Sequence, residues 1–302
     1  MGLNKSPNHN WTTMEKAFMP VVFIGPGILL LAVFILYPIL FSFGISFKDF
    51  TLANMAESSW NGLENYSFVL KDPVFWTSVR TTLILALFTV FFSFILALGF
   101  AILLMAIKGR QLFASLILTP ITVAPVVVGL LFKIMFSKSY GVVDYIFGVL
   151  HIPALNWLAD PHVAIWTVIT VGIWMAIPLN TIILLAALQG VPDELYESAA
   201  LDGASSWQRL LHITLPYIKP VSGAVVLMST INAIKEFDVV YSLTSGGPGI
   251  STLTVTYYAN NIGFEVFQLG RAAAASNIIF LLIIIATVLL SMTFFRREDR
   301  NA

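Results

Sequence analysis

The chain has 302 residues, 58% of them hydrophobic and only 11% charged, against about 25% charged in soluble domains. That composition excludes a soluble globular enzyme and specifies an integral membrane protein, and the long Leu/Ile/Phe/Val runs specify helices rather than the alternating strands of a barrel. Sixteen basic residues balance sixteen acidic ones and cysteine is absent; there is no charge excess to attract nucleic acid, and no disulfide or thiolate metal site.

In chain order, residues 1–17 form a polar N-terminal tail, and the apolar run behind it is too long for a signal peptide. Residues 18–295 then read as one transmembrane unit of six spans, each long enough for a hydrocarbon core that takes about 20 residues to cross. The first, residues 18–47, holds Pro26 and Pro38, which predicts a kinked or tilted helix. The second covers 78–107, and a tight turn at Lys108–Gln111 leads into the third, 112–136. The fourth, 163–188, is expected to kink at Pro178, as membrane helices tolerate when neighbours satisfy the freed carbonyl. The fifth covers 220–240. The sixth, 272–295, opens on four alanines that suit close helix packing. Polar segments at 48–76, 137–162 and 242–268 lie between spans, and residues 296–302 form a basic tail.

Lys and Arg in short loops set the orientation. With the N-terminus inside, the cytoplasm receives Lys5, Lys16, Lys108, Arg110, Arg209, Lys219, Arg296, Arg297 and Arg300, and the outside receives Lys48, Lys71 and Lys138. The fold class expected is therefore an all-α polytopic membrane bundle with both termini cytoplasmic.

Residues 190–219, between the fourth and fifth spans, face the cytoplasm in this arrangement. Pro192 suits a helix's first turn, and Asp193, Glu194 and Glu197 complement its dipole. Asp202-Gly203 stops that helix, and Ser205 or Ser206 caps a second one that closes at Pro216.

Enzyme chemistry finds no foothold. The four histidines fall in separate polar segments, and neither an H-E-x-x-H nor a G-x-S-x-G pattern occurs. Ser245–Gly249 is glycine-rich but lacks the lysine of a phosphate loop, so ATP binding by this chain is rejected. Charges near or inside spans are more informative: Lys133, Lys235, Glu236 and Asp238, residue types that in membranes face a bundle interior or a wet path. Ser229, Asn232, Ala233 and Glu236 share one helical face on the fifth span, and Gly172, Met175, Ala176 and Leu179 share one on the fourth. The first face reads as a cavity wall or a polar seam between helices, the second as a packing face.

Glu197-Ser198-Ala199, Asp202-Gly203-Ala204 and Ile213-Thr214-Leu215-Pro216 resemble the signature loop of the membrane subunits of bacterial ABC importers. Ser198 stands where alanine is commoner. Phe237-Asp238 through Leu243–Pro248, and then Gly270–Ala274, are similar to the carbohydrate branch, the maltose, lactose and glycerol-phosphate permeases, and to the first of its two permease subunits. Thr81 departs from the asparagine many relatives carry. The resemblance implies an inner-membrane permease that pairs with a second homologous permease subunit and with two ATPase subunits that hold ATP and Mg, and that receives a sugar, an oligosaccharide or a related polyol from an extracytoplasmic binding protein. It implies a coupling helix touching the ATPase through Leu195, Glu197, Ala199, Asp202 and Gly203. It also implies a substrate pathway along Gly172, Met175, Ala176, Leu179, Ser229, Asn232, Ala233 and Glu236, the same two faces that periodicity selects. The competing expectation is half of a proton-coupled secondary transporter using Lys235, Glu236 and Asp238 as a relay.

Overall fold

The computed structural model describes residues 13–54, 57–107, 110–153 and 155–295. Residues 1–12, the Lys108–Gly109 turn and the basic tail 296–302 lie outside the described residues. α1 (Thr13–Leu31) and α2 (Tyr37–Ile45) are joined by a π-helical turn, Ala32–Leu36. Pro38 has no N–H to donate, and just before it the chain closes a wider ring from Tyr37 N–H to Ala32 O. This turn is the form the irregularity expected of the first span takes.

The two longest helices are α4 (Pro73–Ala106), which follows α3 (Glu64–Lys71), and α8 (Pro161–Gln189). Both begin on an Asp-Pro pair. Asp72 and Asp160 cap them by accepting Val74 N–H at 2.9 Å and His162 N–H at 2.8 Å, while the proline occupies the first helical position, where no donor is needed. α8 runs unbroken through Pro178, so the kink expected there does not divide the fourth span. α4 and α8 pack along much of their length. Ser93, Ala97 and Ala101, fully buried and four residues apart, let the backbones approach closely. The opposite side of α4 shows Leu83, Leu87 and Phe91 more than half exposed, as a lipid-facing surface should.

The third span is not one helix. α5 (Arg110–Leu118), a 3₁₀ turn (Thr119–Thr122) and α6 (Pro125–Met135) form a broken element bent by 98°. Pro120 and Pro125 each remove a backbone donor, and Pro125 forces Ala124 into an extended conformation at ψ 137°. α7 (Val142–Val149) follows.

Beyond α8 come α9 (Asp193–Leu201), α10 (Ser206–Arg209), a π-helical turn before Pro216, α11 (Leu215–Tyr217) and α12 (Lys219–Ile234). The axis turns by 70° between Ser206–Tyr217 and Lys219–Ile234. The fifth span, expected to reach residue 240, ends at Ile234; Lys235 caps it and α13 (Asp238–Leu243) starts in a new direction. Side chains from α14 (Val255–Asn260) and the residue before it take up the freed carbonyls. Thr256 Oγ1 donates to Ile234 O at 3.2 Å and Thr254 Oγ1 to Glu236 O at 3.1 Å, which is how an open helix end is sustained where water is scarce.

α15 (Leu269–Phe295) closes the bundle and packs on α12, α14, α3 and α2, with Ala273, Ala274 and Ala275 buried in these contacts. By length and composition, four helices can each cross a membrane, or up to six if each bent pair counts as one span. Two apolar clusters form the interior. The larger gathers Phe75, Leu85, Val168, Val171, Val240 and Tyr258, and the smaller gathers Ala97, Ala101, Leu184, Leu188, Val191 and Ile218.

Candidate functional site

A cavity of about 370 Å³ lies between α4, α8, the bend of the third span and the end of α12. All eight residues picked from helical spacing and resemblance line it: Gly172, Met175, Ala176 and Leu179 from α8, and Ser229, Asn232, Ala233 and Glu236 from α12 and its cap. Close packing of α8 on α4 sets one wall. A Cβ at Gly172 would stand 3.3 Å from Thr89 Cγ2, tighter than ordinary contact, so the residue without a Cβ lets the helices meet there.

The surroundings of two of them differ from the expectation. Ser229 is buried and donates to Asn180 Oδ1 at 3.1 Å, and Asn180 Nδ2 reaches Ser93 Oγ at 3.4 Å. Three helices are thereby tied across the cavity floor, and the Ser229 hydroxyl proton is already committed. Glu236 lies past the end of α12 rather than on its helical face, and Glu236 Oε1 accepts Val239 N–H at 2.9 Å, capping α13. One carboxylate oxygen thus holds the break open while the residue lines the cavity. Asn232, Lys235 and Asp238 are exposed and bring an amide, an ammonium and a carboxylate to the cavity wall. Such a wall, apolar over most of its area with a few convergent donors and acceptors, fits a small polar solute.

Sequence reasoning missed the wall contributed by α4, Leu85 and Thr89, and by the third span, Ile121 and Pro125. Thr89 Oγ1 is buried without a partner among the described residues. The signal for α4 was present: Leu85, Thr89, Ser93, Ala97 and Ala101 recur every fourth residue and all are buried.

At the other end of α8 the helix–turn–helix takes definite form. Pro192 is the N-cap of α9, with Asp193 and Glu194 in its first turn. Ala204 N–H donates to Ala199 O at 2.9 Å and Gly203 N–H to Ala200 O at 3.1 Å, the paired closure of a Schellman turn, with Gly203 in the left-handed region at φ +78°. Ser205 caps α10 in a reciprocal capping box with Gln208. Tyr196 Oη and Thr214 Oγ1, 2.9 Å apart, tie α9 to the π-helical turn that follows α10. Of the five residues assigned to coupling, Glu197, Asp202 and Gly203 are exposed, Leu195 is 40% exposed and Ala199 half-buried. Leu201, at 90% exposure, was not singled out.

Comparison with known proteins places this architecture. Residues 105–298 match the family described as the binding-protein-dependent transport system inner membrane component. The chain is 35% identical over 249 residues to the trehalose/maltose transport system permease protein MalF of Thermococcus litoralis, covering 82% of this chain and 84% of that protein. It is 37% identical over 250 residues to the lactose transport system permease protein LacF of Rhizobium radiobacter, covering 80% and 82%. A chain in the crystal structure of a bacterial ABC transporter involved in import of the acidic polysaccharide alginate has the same fold, with a TM-score of 0.82 at 20% identity over 94% of this chain and 98% of that one. The proton-coupled reading of Lys235, Glu236 and Asp238 finds no support in these matches. A multi-pass chain whose matches are permease proteins, and whose family match runs from the end of α4 past α15, belongs to the inner-membrane components of binding-protein-dependent transport systems.

Proposed function

We propose that this chain is one of two homologous permease subunits of an ATP-driven importer, and that it carries a neutral sugar or oligosaccharide delivered by an extracytoplasmic binding protein. In this reading residues 18–295 make six spans, counting each bent pair as one, with residues 1–17, 190–219 and 296–302 in the cytoplasm. The observation that carries it is the cavity itself: two helical faces chosen from spacing and resemblance converge on one space of about 370 Å³, in a chain whose relatives include trehalose/maltose and lactose permeases.

The cavity would hold half of the substrate's surroundings, with Asn232 and Asp238 bonding hydroxyls and Met175, Ala176, Leu179 and Phe237 supplying apolar contact. At the cytoplasmic end, α9 would seat in a groove of an ATPase subunit through Leu195, Ala199 and Leu201, with Glu197 meeting a basic residue there and Asp202 and Gly203 shaping the turn. ATP and Mg would bind between the two ATPase subunits, whose closure brings this α9 and that of the second permease together and reorients the spans about the cavity. Uptake of labelled sugars by cells carrying the whole transporter tests the assignment. Asn232→Leu is expected to reduce uptake at least about tenfold, by loss of hydrogen bonds to a buried polar ligand, while the ATPase subunits still co-purify. Wild-type uptake kinetics in Asn232→Leu would remove the cavity from the pathway.

A further inference from the structure

A second cavity, of about 560 Å³, lies where α3, α14, the start of α15 and the 245–249 turn meet, on the side of the bundle away from α9. Tyr257, Asn261, Glu265, Gln268, Arg271 and Phe68 line it, and none of them lines the central cavity. Their bonding is internally arranged yet incomplete. Arg271 lies 3.8 Å over the centre of the Phe68 ring and donates through one guanidinium nitrogen to Gln268 Oε1 at 2.6 Å, which leaves the Gln268 amide N–H groups and the rest of the guanidinium as donors. Asn261 Nδ2 donates to Glu265 Oε2, which leaves Glu265 Oε1 and Asn261 Oδ1 as acceptors. The remaining charge, Asp72, is occupied by Val74 N–H at 2.9 Å and the Tyr258 hydroxyl at 2.7 Å.

We propose that this cavity is a second carbohydrate subsite, on the external face, that holds a neutral sugar before it reaches the central cavity; the proposal rests on the sugar-importer reading above. Fixed donors and acceptors of both kinds suit hydroxyl groups, each of which gives and takes a hydrogen bond. The lining carries two carboxylates, Asp72 and Glu265, against one guanidinium, Arg271, a balance that gives no attraction for an anionic ligand.

The second observation is a cluster of rings. Tyr257, on the wall of this cavity, stacks on Phe237 with ring centroids 5.8 Å apart and planes 24° apart, and Phe237 lines the central cavity. Tyr241, 48% exposed, stacks on Phe237 at 5.4 Å. The rings that wall the two cavities therefore belong to one packed aromatic cluster, in which Tyr257 is buried and Tyr241 exposed.

The chain has no cysteine of its own, so single thiols report locally. In the complete transporter reconstituted with its binding protein, Ile250→Cys places a thiol on the rim of the second cavity, and Leu52→Cys places one on an exposed position outside it. Both are reacted with a membrane-impermeant maleimide, with and without trehalose, maltose or lactose, and uptake of each sugar is measured in the same vesicles. A transported sugar is expected to slow labelling at position 250 several-fold and leave position 52 unchanged. Adding Glu265→Leu is expected to raise the half-protecting concentration about tenfold, the loss of one charge-assisted hydrogen bond. A sugar that is transported but leaves labelling at position 250 unaltered overturns the subsite and spares the importer reading. Labelling that slows equally at both positions, or protection unaffected by Glu265→Leu, overturns it as well. Failure to transport any of the sugars overturns the reading on which it rests.

Discussion

Gly203 offers a test in which backbone and side-chain effects separate cleanly. It sits at φ +78°, and a Cβ built there would meet nothing within 4 Å, so a substitution acts through the conformation of the turn and not through a clash. For an ordinary L-residue the left-handed region costs about 1–2 kcal/mol; β-branched residues suffer most, and asparagine least among residues other than glycine. A loss of 1–2 kcal/mol changes an equilibrium about 5- to 30-fold. Here it weighs on the turn that aligns α9 with α10 through the Ala204–Ala199 and Gly203–Ala200 hydrogen bonds. The series Gly203→Asn, Gly203→Ala and Gly203→Val should therefore lose function in that order. The assay is ATPase co-purification together with binding-protein-stimulated ATP hydrolysis in proteoliposomes: Asn close to wild type, Val down by roughly an order of magnitude. If Val matched wild type, or Asn fell as far as Val, the turn geometry would not be what the proposed ATPase contact requires.

Two further predictions concern packing. Asn180→Leu removes the links to Ser229 and Ser93; at about 0.6 kcal/mol per interhelical hydrogen bond, and up to about 1.7, it should destabilise the bundle by roughly 1–3 kcal/mol in detergent-titrated unfolding, and an unchanged midpoint would mean the cavity floor is held by apolar packing alone. Gly129→Leu drives a side chain of α6 into Ser242, with Leu243 N only 3.3 Å from the new Cβ; overpacking of this kind costs about 1–3 kcal/mol, read as a lower melting temperature of the purified transporter, and Ser242→Gly should restore part of it because it removes the atoms struck first.

How much of this could be read from the sequence depended on whether the relevant forces were local. α4 and α8 were legible because an Asp-Pro start precedes a continuous apolar run, and both signals lie within one segment. The turn after α9 was legible for the same reason: Asp202-Gly203 and Ser205 to Gln208 carry their own stop and start. The bends of the third and fifth spans were not, because hydropathy records length and not direction. Pro120 and Pro125 show that a helix is weakened near residue 124, but the break at Ile234 has no proline, and its carbonyls are held by Thr254 and Thr256, 18 to 22 residues further on. Helical spacing found the two cavity faces of α8 and α12, yet it could not tell a free hydroxyl from a committed one, since the partner of Ser229 is 49 residues away on another helix.

The break at Ile234 also alters what the charges beside the cavity mean. On a continuous helix Glu236 would be an isolated carboxylate facing the solute, and the case for a neutral ligand would rest on repulsion of anions alone. In the structure Glu236 stabilises the first turn of α13 through Val239 N–H, so part of its charge is offset by the peptide dipoles it caps. Lys235 and Asp238 then stand on either side of the break, one of each sign, both lining the cavity. With Glu236, the break carries two carboxylates against one ammonium, which offers bonds to hydroxyls and no net attraction for a phosphate or a carboxylate. The charges around the break taken together therefore favour the proposed neutral sugar, with one Glu236 oxygen committed to holding the break in place.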